Sequence, residues 1–120
     1  MNTKLKTTEI GKRAESLAVQ FLKGKNWQII AQNYRHRQTE IDIIAQEQNT
    51  IVFVEVKYRK SSAFGHPEEA VNIQKQNRII TCATHFILHN NIENDIRFDI
   101  VAILKTSTKY EIEHFEDAFY

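Results

Sequence analysis

Two short segments of this 120-residue chain place charge where the surrounding pattern is apolar: Asp42 in EIDIIA (40–45), and Glu55 with Lys57 in TIVFVEVKY (50–58). Carboxylates that face each other across paired strands repel, and a cation between them removes that cost. Mg²⁺ and Mn²⁺ favour oxygen ligands, commonly one or two carboxylates plus the phosphate oxygens of a substrate. A metal held this way polarises a phosphoryl oxygen and lowers the pKa of a bound water. A neighbouring lysine orients that water or counters the charge that builds in the transition state. The pattern therefore points to metal-assisted chemistry at a phosphoryl group, with the Val56 carbonyl as an extra ligand candidate. An E-x-K pair on a strand is more often a solvated surface pair of little energetic weight. What distinguishes this one is the apolar run VFVEVK, in which partly buried charge needs a reason.

The elements that must hold these residues follow from periodicity. In 50–58, Ile51, Phe53, Glu55 and Lys57 point one way and Val52, Val54, Val56 and Tyr58 the other. In 40–45, Glu40, Asp42 and Ile44 share a face opposite Ile41, Ile43 and Ala45. A hairpin turning at Gln48-Asn49 sets Asp42 directly opposite Glu55, and a register shifted by two leaves them diagonal. Upstream, residues 1–7 read as a loose basic end. Ile10, Ala14, Leu17, Ala18, Phe21 and Leu22 then recur at helical steps, with Thr8 as a cap and Gly24 at the left-handed stop. A strand follows at 27–34, and 59–66 reads as a loop. A second helix begins at Pro67 with Glu68 and Glu69 in its first turn, runs through Val71, Lys75, Ile79, Cys82, Ala83, Phe86 and Ile87, and stops at Asn90-Asn91. Strands at 97–104 and 110–115 complete the order α-β-β-β-α-β-β, which predicts an α/β fold with one mixed sheet flanked by helices.

Length and composition fit a single domain over 1–120 with an ordinary globular balance, 42% hydrophobic and 26% charged. The single cysteine, Cys82, allows no internal disulfide and no cysteine zinc cluster, which favours a reducing setting. Neither a signal peptide nor a run of about 20 apolar residues is present, so the expectation is a cytoplasmic protein away from the membrane. Net charge is +1 but unevenly spread. Residues 1–60 carry eleven Lys/Arg against six Asp/Glu, and residues 61–120 carry five against nine, which suggests a basic face and an acidic tail.

The ordered segments Gly11/Glu15/Ala18, Asn33/Arg35, EIDIIA, FVEVKYR (53–59), Lys75 and RFD (97–99) resemble the YraN family, bacterial proteins with an endonuclease-like fold. The resemblance runs from about Gly11 to Phe119. It implies a restriction-endonuclease-like fold of the PD-(D/E)xK superfamily, similar to archaeal Holliday-junction resolvases. The superfamily pattern maps onto Asp42, Glu55 and Lys57, adds Glu15 as a further metal ligand, and brings Lys75 of the second helix toward the same site. Thr39 stands where such families usually have glycine, and Ala14 where the first-helix pattern usually reads Gly before Glu.

Arg35, Arg37, Arg59 and Lys60, with His36, Tyr34 and Tyr58 among them, make a candidate phosphate-contacting rim for DNA, against the plainer reading of a solvated loop surface. His85 and His89 have i, i+4 spacing but no accompanying glutamate or third ligand, which favours surface or packing roles. His114, Cys82 and Trp27 read as structural. The leading expectation is a Mg²⁺- or Mn²⁺-dependent nuclease acting on DNA, branched or single-stranded, in recombination or repair. Its rivals are a catalytically silent DNA-binding adaptor that partners a recombination enzyme, and a structural module in which Glu55 and Lys57 are an ordinary strand pair. Cutting two strands favours a homodimer, for which YEIEHF supplies an edge.

Overall fold

A long apolar stripe folds the first helix against the sheet. The computed structural model describes residues 3–60 and 72–120, with side chains from residue 9 onward. Helix α1 (Thr3–Gly24) buries Ala14, Ala18, Val19 and Leu22, the four-residue steps of one helix face. It starts ahead of the Thr8 cap read from the sequence. Its stop also differs. The left-handed residue is Asn26 (φ 68°), two positions beyond Gly24. The Trp27 N–H bonds the Leu22 carbonyl at 3.1 Å and the Asn26 N–H bonds the Lys23 carbonyl at 2.9 Å. These two bonds form a Schellman stop, and asparagine tolerates the left-handed region well enough to make one without glycine.

Strands β1 (Gln28–His36), β2 (Thr39–Glu47) and β3 (Thr50–Arg59) form two successive hairpins, turning at Arg37-Gln38 and Gln48-Asn49. Helix α2 (Ile73–His89) then crosses over to β4 (Asp95–Lys105), which pairs parallel to β3, and β5 (Tyr110–Phe115) closes the far edge antiparallel. The sheet order is β1-β2-β3-β4-β5, so the predicted α/β order of elements is the observed one. The Pro67 helix start, Glu68, Glu69 and Val71 lie outside the described residues. Within them α2 is capped by Asn72, whose side chain accepts the Lys75 N–H at 2.8 Å. It ends in a second asparagine stop, with Asn91 at φ 52° and the Ile92 N–H on the Ile87 carbonyl at 3.0 Å.

The sheet carries a core on each face. Ile51, Phe53, Phe98 and Ile100 pack with Ile79, Cys82, Ala83 and Phe86 of α2. Val52, Val54, Val101 and Ile103 pack with the α1 stripe and Trp27. Alternation holds through β3 and fails in β2. Ile41 and Ile44 both join the α2-side core, while Ile43 and Ala45 join the other. Tyr34 and Ala31 of β1 show the same three-residue step. The cause lies at one rung. Asn33 sits at φ 55°, and the pairing passes from Gln32↔Ile43 to Tyr34↔Ile41 without a paired Asn33 and Asp42. A left-handed residue in a strand reverses the local pleat. Strict alternation of Glu40, Asp42 and Ile44 on one face is therefore corrected: Asp42 sits at a kink.

A second polar cluster, on β4 and its neighbours, ties the ends of the fold together. Asp99 is fully buried and accepts two bonds from Arg97 at 2.9 Å, one from His114 Nε2 at 2.8 Å and one from the Asp117 N–H at 3.0 Å. Lys25 at the end of α1 contacts His114 Nδ1 at 2.8 Å. An ammonium has only protons to give, so Nδ1 accepts and Nε2 carries the proton toward Asp99. Arg97 also reaches Glu47 of β2 at 3.0 Å and lies over the Trp27 ring. Burial raises the Asp99 carboxyl, and the hydrogen bonds from His114, Arg97 and Asp117 outweigh it, leaving the group below the usual carboxylate range. A depressed carboxylate adds stability above its unfolded pKa and loses it as pH falls through the folded one. Asp99→Ala, which removes the two-bond partner of Arg97 and the acceptor of His114 but leaves Arg97 its contact with Glu47, is expected to cost about 3 kcal/mol in urea unfolding at pH 7, with the deficit shrinking in acid. A deficit below about 1 kcal/mol would show that the cluster contributes little.

Candidate functional site

Glu55 is the carboxylate that the sheet buries beside α2. It follows Phe53 on the α2-facing side of β3 and is 7% exposed. Lys57, two residues on and therefore on the same face, brings its Nζ to 3.3 Å from Glu55 Oε2. Lys75, in the first turn of α2, brings its Nζ to 2.6 Å from the same oxygen. The Asn72 cap fixes where that first turn begins and so places Lys75. Two lysines from different elements thus converge on one buried acid.

Asp42 supplies the second carboxylate. The β2–β3 ladder runs from Glu47↔Thr50 to Ile43↔Val54, around the predicted Gln48-Asn49 turn. One rung further, Asp42 stands level with Glu55. There the backbone pairing stops and Asp42 Oδ2 accepts the Val56 N–H at 2.7 Å, in place of a ladder bond. Burial first, then the Glu55 charge, push the Asp42 carboxyl up to about 8, and the Val56 bond only partly opposes them. Glu15, half-buried on α1, accepts a bond from Asn33 Nδ2 at 2.9 Å. Its carboxyl is raised, by burial first, while hydrogen bonds from Asn33 and Asp42 act against the rise. Burial, with Lys75 beside it, holds the Lys57 ammonium below the usual lysine range. Lys75 is also opposed by burial, but its contacts with Glu55 and Lys57 leave it raised.

Glu15, Asp42, Glu55, Lys57 and Lys75 are therefore brought into one interacting group. Among the described residues no three His, Cys, Asp or Glu side chains are gathered tightly enough to hold a metal ion. The donor chemistry still suits a hard cation: a buried and a half-buried carboxylate on neighbouring strands, the second raised by desolvation and by the charge of the first. The proposed rim is more scattered. Arg35 is exposed and 3.8 Å from Glu40, Arg37 occupies the β1–β2 turn at φ 59°, and the Arg59 guanidinium donates to the Tyr58 carbonyl at 2.9 Å. Lys60 is exposed just past β3. Thr39, in the glycine position of the resemblance, has no left-handed backbone, so its Cβ is accommodated. His85 accepts or donates to the Tyr34 hydroxyl at 2.6 Å and stacks on His36, the surface packing expected of it. Sequence reasoning gave Asn33 no role, although it was visible in the N-x-R segment. Asparagine is the non-glycine residue most at home at φ > 0, and that was the available signal.

The electrostatics give a direct test. A carboxyl raised on folding means that the folded chain binds more protons than the unfolded one between about pH 4 and 8, so stability falls as pH rises through that window. In EDTA, wild type is expected to lose stability from pH 5 to pH 8 relative to Asp42→Asn, by on the order of a few kcal/mol. Parallel pH curves for the two proteins in urea unfolding would remove the strained carboxylate from the account.

Comparison with known proteins finds similar chains in several bacteria. The model of a family described as "Uncharacterised protein family UPF0102" matches residues 14–103. A UPF0102 protein of Flavobacterium psychrophilum is 42% identical over 112 residues, covering 93% of this chain and 94% of that protein. One of Chlorobium limicola is 47% identical over 118 residues, covering 92% of each. One of Alkaliphilus oremlandii is 48% identical over 114 residues, covering 92% of this chain and 97% of that protein. Among the described residues no helix is long and apolar enough to cross a membrane.

Proposed function

This chain belongs to the UPF0102 family, the YraN family of the sequence resemblance, and we propose that it carries a phosphodiester-hydrolase site built on Asp42, Glu55 and Lys57. One observation carries the reading. A buried carboxylate, Glu55, and a half-buried one, Asp42, stand level on neighbouring strands, against two lysines, at a net electrostatic cost to Asp42. Arrangements that perturb pKa values this way cluster where chemistry is done. Asp42 and Glu55 would hold Mg²⁺ or Mn²⁺, with Glu15 next to Asp42 as a further ligand. The ion, when bound, supplies phosphoryl polarisation and acidification of a water.

The chain's own residues do the rest. Lys57, with its proton affinity lowered by burial, orients the attacking water. Lys75 neutralises charge that accumulates on the phosphate as the bond to the leaving oxygen breaks. Arg35, Arg37, Arg59 and Lys60 contact flanking phosphates and set the salt dependence of DNA binding. The substrate is DNA, branched or single-stranded, in recombination or repair. Two-strand cutting would use a homodimer or a recombination-protein partner, and β5 is an exposed sheet edge suited to such pairing.

One feature favours a second reading, a catalytically silent DNA-binding adaptor. Lys75 already sits 2.6 Å from Glu55, so an ion must displace it. Incubation with Mn²⁺ on junction, flap and single-stranded DNA separates the two. The hydrolase reading expects cleavage, reduced at least about 100-fold by Asp42→Asn, Glu55→Gln or Lys57→Ala. Cleavage that survives Asp42→Asn or Lys57→Ala sinks the residue assignment. Salt-sensitive binding without cleavage, and no calorimetric Mg²⁺ or Mn²⁺ signal, establishes the adaptor.

A further inference from the structure

A cleft built from the strand and the helix that also carry Asp42 and Lys75 has chemistry opposite to that of the carboxylates. It encloses about 590 Å³ between the β1–β2 turn and one face of α2. Its lining includes His36, Arg37, Gln38, Asn77, Arg78 and Thr81, and none of its lining residues is acidic. Neither Arg37 nor Arg78 has an ion-pair partner among the described residues, whereas Arg35 and Arg97 are both paired with acids. Two unneutralised guanidinium groups facing amides and a hydroxyl form a surface rich in donors, suited to phosphate oxygens and to the edge of a base. His36 adds a flat ring. It stacks on His85 at 3.9 Å with 16° between the planes, and His85 stacks in turn on His89 at 5.6 Å.

The cleft is connected to the site by both of its walls. Arg78 lies three residues beyond Lys75 on α2, so the two share a helix face. Thr39, which also lines the cleft, precedes Asp42 by three residues in β2, a span of about 10 Å. A strand whose phosphate lies at Asp42 and Glu55 therefore has its adjacent nucleotide at this cleft. The volume falls in the range of about 300–1,000 Å³ typical of small-ligand clefts, which admits one nucleotide. A base inside a duplex is paired and stacked, and reaches such a pocket only if extruded, at about a few kcal/mol. A free base meets no such barrier and is recognised by donors on its edge and by stacking on planar groups.

We propose that this cleft binds an unpaired nucleotide flanking the phosphodiester held at Asp42 and Glu55, so that the protein selects single-stranded nucleic acid over duplex. The inference rests on the phosphodiester reading for its position and is tested without cleavage. Fluorescence anisotropy in EDTA would compare a single-stranded oligonucleotide with the blunt duplex of the same sequence. Wild type is expected to favour the single strand at least about tenfold. The exposed double substitution Asn77→Ala/Arg78→Gln, checked for an unchanged melting curve, should lose about tenfold in single-strand affinity and less than twofold in duplex affinity. Equal loss on both substrates, or no preference in wild type, overturns the proposal. Displacement of the strand by a micromolar deoxynucleoside monophosphate would also overturn it, by making a free nucleotide the ligand. Strand preference in EDTA without cleavage in Mn²⁺ supports the cleft and removes the hydrolase reading alone.

Discussion

A carboxylate cannot be left alone in the interior of a sheet, and the burial of Glu55 organises much of what surrounds it. Its strand, β3, is central, with β2 on one side and β4 on the other and a helix packed on each face. Burial strips most of the water from Glu55, so positive charge from the chain offsets the desolvation. Lys57 comes from the same strand face and Lys75 from the start of α2. The crossover that makes β3 and β4 parallel is also the one that delivers the second lysine. Topology and electrostatics are one constraint in this protein.

The two buried acid clusters show how differently a fold treats the same group. Asp99 receives Arg97, His114 and a backbone N–H, and its carboxyl is lowered. Asp42 receives one backbone N–H and faces Glu55 and Glu15, and its carboxyl is raised to about 8. The first arrangement is satisfied and ties α1, β2, β4 and β5 together. The second retains an unmet demand for positive charge. The same fold thus relieves one aspartate fully and leaves the other raised, the kind of perturbation on which the proposed ligand site rests. The RFD segment of the sequence thus belongs to the scaffold, and the EIDIIA and FVEVK segments to the candidate site.

Strain follows the same division. The left-handed Asn33 falls on the rung level with Asp42 and directs its side chain amide to Glu15. It lets Asp42 leave the regular ladder and turn its carboxyl to the Val56 N–H. Local departures from regular backbone persist where surrounding structure fixes them, here by the hydrophobic cores on both sides of the kink.

The sequence by itself determined the order of elements, the apolar face of β3, and a hairpin that brings Asp42 near Glu55, opposite it if the turn lies at Gln48-Asn49 and diagonal to it otherwise. Those features rest on short-range periodicity and on chain connectivity, which a single strand of residues records directly. Only the tertiary structure decided the rest. Asn26 in place of Gly24 as the helix stop, and the broken alternation at Asp42, depend on backbone torsions that several residue types can adopt. Whether a given acid is relieved or left strained depends on which partners the fold brings from distant segments. Lys75 reaches Glu55, and His114 and Arg97 reach Asp99, and that choice separates the scaffold's aspartate from the site's. Pair energies in a low-dielectric interior turn on a few ångströms, a scale that residue order does not encode.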